Sequence, residues 1–298
     1  MTLVQLNEST YVFESRVNIG YVHKGNEGLM IDAGIDKSSI RKVVRQLEEN
    51  HLPITHLFIT HAHADHYGGA HYLKEAYDVK VIAPQFESVI LAHPILEPIY
   101  LFSGNEPLPE LRNKFLEGTP VEVDIIVEEG RQTIDQFDLE FIKTKGHSYN
   151  QLAVLVNGIL FAADSYFGIG QLYDHKIPYI TDAKNTIQSL KKLLNISCDG
   201  AVPGHGLFEV NYKNTIQKNI EYHEMIAHRL FNIIGAHPEG ITHEQLIKKM
   251  CDEMNVETKE LSQFLLIKTA ITAYIILLIN EGKIEHDIQH QCWMFQIK

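Results

Sequence analysis

Thr60-His61-Ala62-His63-Ala64-Asp65-His66 places three histidines and an aspartate within six positions, after an apolar run at 55–60 and before a helical pattern at 67–77. In an extended segment side chains alternate with period two, so His61 and His63 point the same way and can bind one metal ion. Asp65 and His66 fall at a helix start, where adjacent side chains splay by about 100°, and they can reach a second ion nearby. Histidine nitrogen with carboxylate oxygen is a donor set that zinc, iron or manganese accepts. The absence of sulfur favours a catalytic centre. Taken alone, a histidine-rich surface turn is the plainer alternative.

Outward from this stretch, residues 11–31 alternate and are β-rich, and 36–50 shows helical periodicity with Ile40, Val43, Val44 and Leu47 on one face. A strand at 79–83 completes a βαβ-like rhythm. The segment 85–120 carries five of the ten prolines and no clear period, which predicts loops and short helices over one end of the fold. Strands are expected at 124–127, 139–144, 152–156 and 159–163, the last two joined by Asn157-Gly158, a two-residue hairpin signal. A helix at 182–194, a strand at 200–203 and one long helix at 212–234 follow.

Three more residues stand at the ends of expected strands: His147 in Gly146-His147-Ser148, Asp164 in Ala162-Ala163-Asp164-Ser165, and His205 in Gly204-His205-Gly206. With them, the order HxHxDH, GH, D, GH resembles the metallo-β-lactamase superfamily over residues 1–235, and the ligand set is similar to that of its glyoxalase II-like members. The resemblance implies an α/β fold, an αββα sandwich with metal ions along one edge. It implies that His61, His63 and His147 bind one ion, that Asp65, His66 and His205 bind a second, and that Asp164 bridges them. The cofactor expected is two divalent ions, zinc first, with iron or manganese as alternatives. Ile31-Asp32-Ala33-Gly34 also resembles a family motif and makes Asp32 a candidate to orient a ligand histidine.

A dinuclear site of this kind implies hydrolysis. Two ions about 3.5–4 Å apart can share a water and hold it as hydroxide near neutral pH, and Asp65 and Asp164 are the candidate catalytic groups that accept or relay a proton. Fold and ligands do not name a substrate. The reading is a hydrolase of a small ester, thioester or lactone-type substrate; the alternative is a metal-dependent phosphodiesterase or small endoribonuclease. A complete histidine/aspartate set and the lack of a signal-like N-terminus argue against exported antibiotic hydrolysis. An electron-transfer role would need a flavin domain, for which no Gly-rich phosphate loop is present. His93, His175, Tyr166, Phe167 and Tyr173 lie in irregular segments that could overhang the site, and Tyr149 and Asn150 could touch substrate.

Gly235-Ala236-His237-Pro238-Glu239-Gly240 ends the long helix and divides the expected catalytic domain, 1–235, from a C-terminal domain, 236–298. Thr242 can cap a helix to about residue 251, 261–280 makes a second, and two short strands around Ile284 and Trp293 give a winged-helix-like order. Such a module binds DNA, walls an active site or makes a dimer contact. From Gly235 onward there are nine acidic residues against six basic ones, and the whole chain carries −12, so phosphate binding is disfavoured. The apolar stretch 264–279 is short of the roughly 18–20 residues a membrane span needs and is interrupted by Lys268, so it predicts a buried helix. Three scattered cysteines and an N-terminus without a basic, then apolar, leader predict a cytoplasmic protein. The expected partner is a small-molecule substrate, with homo-oligomers open and neither membrane nor nucleic acid.

Overall fold

The computed structural model describes residues 2–298. Alternating residues form four antiparallel strands, β1 (Thr2–Asn7), β2 (Thr10–Glu14), β3 (Ile19–Lys24) and β4 (Glu27–Ile31). Helix α1 (Lys37–Glu49) starts where the Asp36 carboxylate accepts the Ser39 N–H at 2.9 Å, and it buries the expected face of Ile40, Val43, Val44 and Leu47. β5 (His56–Phe58), β6 (Lys80–Pro84) and β7 (Ile125–Val127) add in parallel, giving one seven-stranded sheet in chain order.

The single helix expected at 67–77 is instead two, α2 (Ala64–Tyr67) and α3 (Ala70–Tyr77). The break falls at Gly68-Gly69. A Cβ there would come within 2.0 Å of the Ile35 carbonyl oxygen and 2.4 Å of the Ala33 one, an approach that only glycine permits. Helices α4 (Gln85–Ala92) and α5 (Leu96–Leu101) occupy part of the proline-rich segment.

The second sheet contains β8 (Gly130–Ile134), β9 (Phe137–Lys143), β10 (Leu152–Val156), β11 (Ile159–Ala163) and β12 (Gly200–Pro203), in the spatial order β12-β11-β10-β9-β8. Asn157 and Gly158 both take positive φ, 49° and 79°, as the tight hairpin between β10 and β11 requires. Helices α6 (Ile169–His175) and α7 (Ala183–Leu193) cross over to the parallel strand β12, and α8 (Tyr212–Gly235) follows. Strands β1 and β8 and helix α6 go beyond what the periodicity predicted.

The two mixed sheets face each other through Val12, Val22, Phe58 and Ile82 on one side and Phe137, Phe141, Val154 and Phe161 on the other. Outside them, α1 and α3 cover the first sheet with Ile40, Leu47 and Leu73, and α7 and α8 cover the second with Leu190, Leu193, Ile216 and Ile220. This is the expected four-layer order. Asp32, Thr60-His61, Asp164 and His205 all follow the carboxyl ends of β4, β5, β11 and β12, so the topology gathers them at one edge.

Beyond α8 come β13 (Ile241–Thr242), α9 (His243–Glu253), α10 (Leu261–Asn280), β14 (Ile284–Gln289) and β15 (Cys292–Ile297). Thr242 caps α9 in a reciprocal pair with Gln245, as its position predicted. The small sheet has three strands where two were expected, because Ile241 pairs opposite Phe295. Ile226, Leu230 and Ile234 of α8 share one core with Leu246, Met250, Ile271, Tyr274 and Phe295. At its other end α10 leans on the proline-rich segment, where Leu265 packs with Leu101, Leu111 and Leu116.

Candidate metal centre

Three trios of ligand-type side chains lie together, the donor atoms of each within 4.8 Å of one another: His61, His63 and His147; His61, His66 and Asp164; and Asp65, His66 and His205. All seven residues singled out in the sequence are therefore brought to one place. Asp164 stands between the groups. Its Oδ1 lies 3.2 Å from His66 Nε2, and its Oδ2 lies 3.3 Å from both His147 Nε2 and His205 Nε2.

Local structure aims these groups. Ala163 takes φ 48° where the β11–β12 register shifts, a conformation that residues other than glycine adopt at a cost, and this turns Asp164 out of the strand line toward the edge. Gly204 has no room for a side chain: a Cβ would fall 2.0 Å from Asp164 Oδ1. Several rings are held from behind through Nδ1, which leaves Nε2 facing the cluster. His66 Nδ1 bonds Asp32 Oδ2 at 2.8 Å, His147 Nδ1 the Tyr179 carbonyl at 3.0 Å, and His205 Nδ1 the Arg16 carbonyl at 2.6 Å. His61 Nδ1 pairs with Thr60 Oγ1 at 3.0 Å. His63 is reversed, offering Nδ1 2.9 Å from His147 Nε2.

The donor atoms suit a cation. His61 Nε2, His66 Nε2 and Asp164 Oδ1 are buried without a hydrogen-bond partner, a combination that protein groups alone leave unsatisfied. Burial, together with the neighbouring imidazoles, holds His61 well below the usual histidine range and pushes His63 down to about 3; His147 is lowered by burial too. These rings stay neutral, as metal ligation requires. Burial would raise the Asp164 carboxyl, but His205, His66 and His147 outweigh it and hold the group well below the carboxylate range. Burial opposes the charge on His66 and His205 as well, yet the facing carboxylates of Asp164 and Asp65 prevail and lift His205 to about 10.

The remaining candidates divide. Phe167 is buried, with its ring 6.1 Å from that of His147 and 5.7 Å from that of His205, and the His175 ring packs against it at a tilt, 5.0 Å between centroids. Tyr166 does not overhang the site; it is fully buried in the core between the second sheet and its helices. Tyr173 packs on Tyr222 of α8, and His93 is an exposed cap at the end of α4, so neither joins the cluster. Tyr149 is 65% exposed and packs at a tilt against Phe86, 4.8 Å between centroids, under the Lys145 ammonium. Asn150 contributes its backbone. Its N–H donates to Glu87 Oε1 at 2.9 Å, while Ser148 Oγ donates to the same oxygen and Ala62 N–H to Oε2. Glu87 thus ties the loop of His61 and His63 to that of His147. Sequence reasoning missed it, since a lone acid in an aperiodic segment carries no signal.

Two βα halves thus meet at a buried histidine/aspartate cluster whose donors could hold a metal ion. Residues 12–205 match the family model described as the Metallo-beta-lactamase superfamily, and the chain belongs to that superfamily. No curated protein matches the sequence significantly. Among solved structures, the chain is similar to a beta-lactamase domain protein from Burkholderia ambifaria, with TM-score 0.76 and 15% identity over 99% of this chain and 94% of that one. A metallo-beta-lactamase family protein from Thermus thermophilus gives TM-score 0.74 and 16% identity over 99% and 100%. A metallo-beta-lactamase from Pontibacter korlensis gives 0.57 and 15% over 75% and 98%. These likenesses concern the fold.

Proposed function

We propose that this chain is a dinuclear, zinc-dependent hydrolase of a small ester, thioester or lactone-type substrate. The observation that carries the reading is the single Asp164 carboxylate facing His66 on one side and His147 and His205 on the other. His61, His63 and His147 would hold one ion and Asp65, His66 and His205 the other. The chemistry that divalent ions supply in such a site is Lewis acidity, which polarises an acyl or phosphoryl oxygen and makes water nucleophilic near neutral pH. Among the protein's own groups, Asp164 fixes the spacing of the two clusters. Asp65 is half-buried, with Oδ2 3.5 Å from His205 Nε2, and is placed to take a proton and pass it toward solvent.

We read residues 236–298 as a winged-helix-like packing module of a cytoplasmic protein. In support, Glu285 and Asp287 are exposed on β14, which suits no phosphate backbone, and α10 braces the segment around α5. The test is elemental analysis of metal-replete protein followed by side-by-side assay of a thioester, a lactone, an aryl ester and a bis-aryl phosphodiester. Two ions per chain and preference for an acyl substrate are expected. A single ion with full activity overturns the dinuclear reading, and strong preference for the phosphodiester overturns the substrate class in favour of a nuclease-like enzyme.

A further inference from the structure

The cluster is more open on one side than on the other. In the first trio His61 and His147 are buried, and the Tyr179 ring lies edge-on against His63 at 5.5 Å and against His147 at 5.7 Å between centroids. In the second, the side chains of Asp65 and His205 are 32% and 16% exposed. A molecule arriving from solvent reaches the Asp65/His205 side directly.

His175 stands at that opening and takes no part in the chemistry above. Its exposed ring lies 6.2 Å from that of His205, at 84° to it, and 5.0 Å from that of Phe167. The fold fixes its place. Helix α6 ends at His175 and is anchored in the core by fully buried Leu172, and the Gly168 N–H just before it donates to the His205 carbonyl at 2.8 Å. His66, His147 and His205 each commit Nδ1 to a partner behind the ring. The His175 imidazole has no hydrogen-bond partner among the described residues, so its N–H is free for whatever occupies the opening.

A substrate whose reacting carbon lies against the cluster presents its outer part to His175. The leaving group departs to solvent, so it lies on this open side. Its leaving atom gains negative charge as the bond to carbon breaks, and a donor already aimed at that atom stabilises the transition state more than the ground state.

We propose that His175 is a catalytic residue that donates a hydrogen bond to the leaving-group oxygen of an oxygen ester or lactone. The proposal rests on the ester-hydrolase reading of the centre and narrows it, because sulfur, the leaving atom of a thioester, is a weak acceptor. His175 keeps its proton throughout. The acyl–oxygen bond breaks, the oxygen of water takes its place on the acyl carbon, and the proton released by that water ends on the departing oxygen.

The experiment compares metal-loaded wild type, His175→Phe and His175→Gln on para-nitrophenyl, phenyl and ethyl butyrate and on S-phenyl thiobutyrate, which share one acyl group. His175→Phe is expected to lower kcat/KM about tenfold or more on ethyl butyrate, and by less than about threefold on the para-nitrophenyl ester and the thioester, whose leaving atoms need a donor least. His175→Gln, which keeps an N–H, should retain most of the activity. All three proteins should share one Tm and one metal content. An equal loss on every leaving group, no loss on ethyl butyrate, or a loss that comes with a lower Tm or a missing ion overturns the proposal. Calorimetric binding of ethyl methylphosphonate and methyl(propyl)phosphinate, which has CH2 in place of the ester oxygen, gives a second readout that needs no turnover. The ratio of the two Kd values should favour the phosphonate about threefold or more in wild type relative to His175→Phe, the worth of one hydrogen bond. An unchanged ratio, or no binding of either, overturns the contact. If wild type hydrolyses none of the esters, the ester reading fails by itself, and the binding ratio alone decides whether His175 pairs with an oxygen in that position.

Discussion

His66 Nδ1 donates to Asp32 Oδ2 at 2.8 Å, and the Asp32 carboxylate also accepts the Thr60 backbone N–H at 2.9 Å and the Thr60 hydroxyl at 3.0 Å. One side chain thereby orients a candidate ligand of the second trio and the residue preceding a ligand of the first. Asp32 itself sits at φ 63°, which asparagine tolerates well. Asp32→Asn is expected to fold and to weaken at least one ion by about 10–100-fold, the range for lost supporting bonds. Competition with a graded chelator, read by elemental analysis, checks this; unchanged affinity would remove Asp32 from the site.

Asp164→Asn keeps the shape of the side chain but loses its charge and one acceptor oxygen. Turnover should fall by roughly two orders of magnitude or more, as for misplaced catalytic groups, with at least one ion held less tightly. Were Asp164 only a turn residue after β11, the change would cost about 1 kcal/mol of stability and leave kcat alone. Measuring kcat, metal content and Tm on the one variant separates these outcomes.

Glu87 receives only donors: Ala62 N–H, Asn150 N–H and Ser148 Oγ–H. In Glu87→Gln an amide NH2 must face one of them, leaving a buried donor unmet at a cost of about 1–3 kcal/mol. The expected result is a Tm lower by several degrees in the metal-free and metal-loaded protein alike, read by calorimetry. A variant as stable as wild type contradicts the tie between the two ligand loops.

Burial pushes His223 on α8 down to about 4, its ring held 2.6 Å from the Tyr274 hydroxyl. In the unfolded chain the same ring takes a proton near pH 6.5. Between these values the unfolded state binds more protons, so this contribution is complete above about pH 6.5 and is lost as pH falls toward 4. It amounts to at most about 3 kcal/mol. Urea unfolding at pH 7 and pH 4.5 should show a smaller acid loss in His223→Gln than in wild type; identical slopes would exclude His223 as a source.

The candidate ligands were legible because they are concentrated: four lie in six residues, and the others follow Gly146, Ala163 and Gly204 at strand ends. A βαβ-like rhythm was legible from alternation and from the apolar face of α1, whereas the αββα order was implied by the resemblance that the ligand motifs carry. What escaped has physical reasons. β8 is a half-exposed strand whose Arg131, Gln132 and Thr133 show little hydrophobic alternation, and β13 is two residues long. Gly68-Gly69 breaks a helix through contacts with residues 33–35, which local periodicity does not contain. Glu87 and Glu97 acquire their surroundings from long-range packing of an aperiodic segment, and Tyr166 looked like a loop residue until α8 covered it.

Helix α8 runs unbroken for 24 residues, its first half on the second sheet and its second half in the C-terminal core. Between them, Asn219 accepts the Phe167 N–H at 3.0 Å and donates to the Phe167 carbonyl at 2.8 Å, gripping the residue whose ring lies against His147 and His205. A rod about 36 Å long thus couples the tail mechanically to the reaction centre. The two lobes should melt as one calorimetric peak, and amide exchange in the last turns of α8 should slow in step with that of the second sheet. Removing residues 236–298 would strip Ile226, Leu230 and Ile234 bare while leaving every candidate ligand in place, so the truncated chain is expected to clump before it loses its ions. A soluble truncated protein that binds no metal would show that the rod supports the ligands themselves.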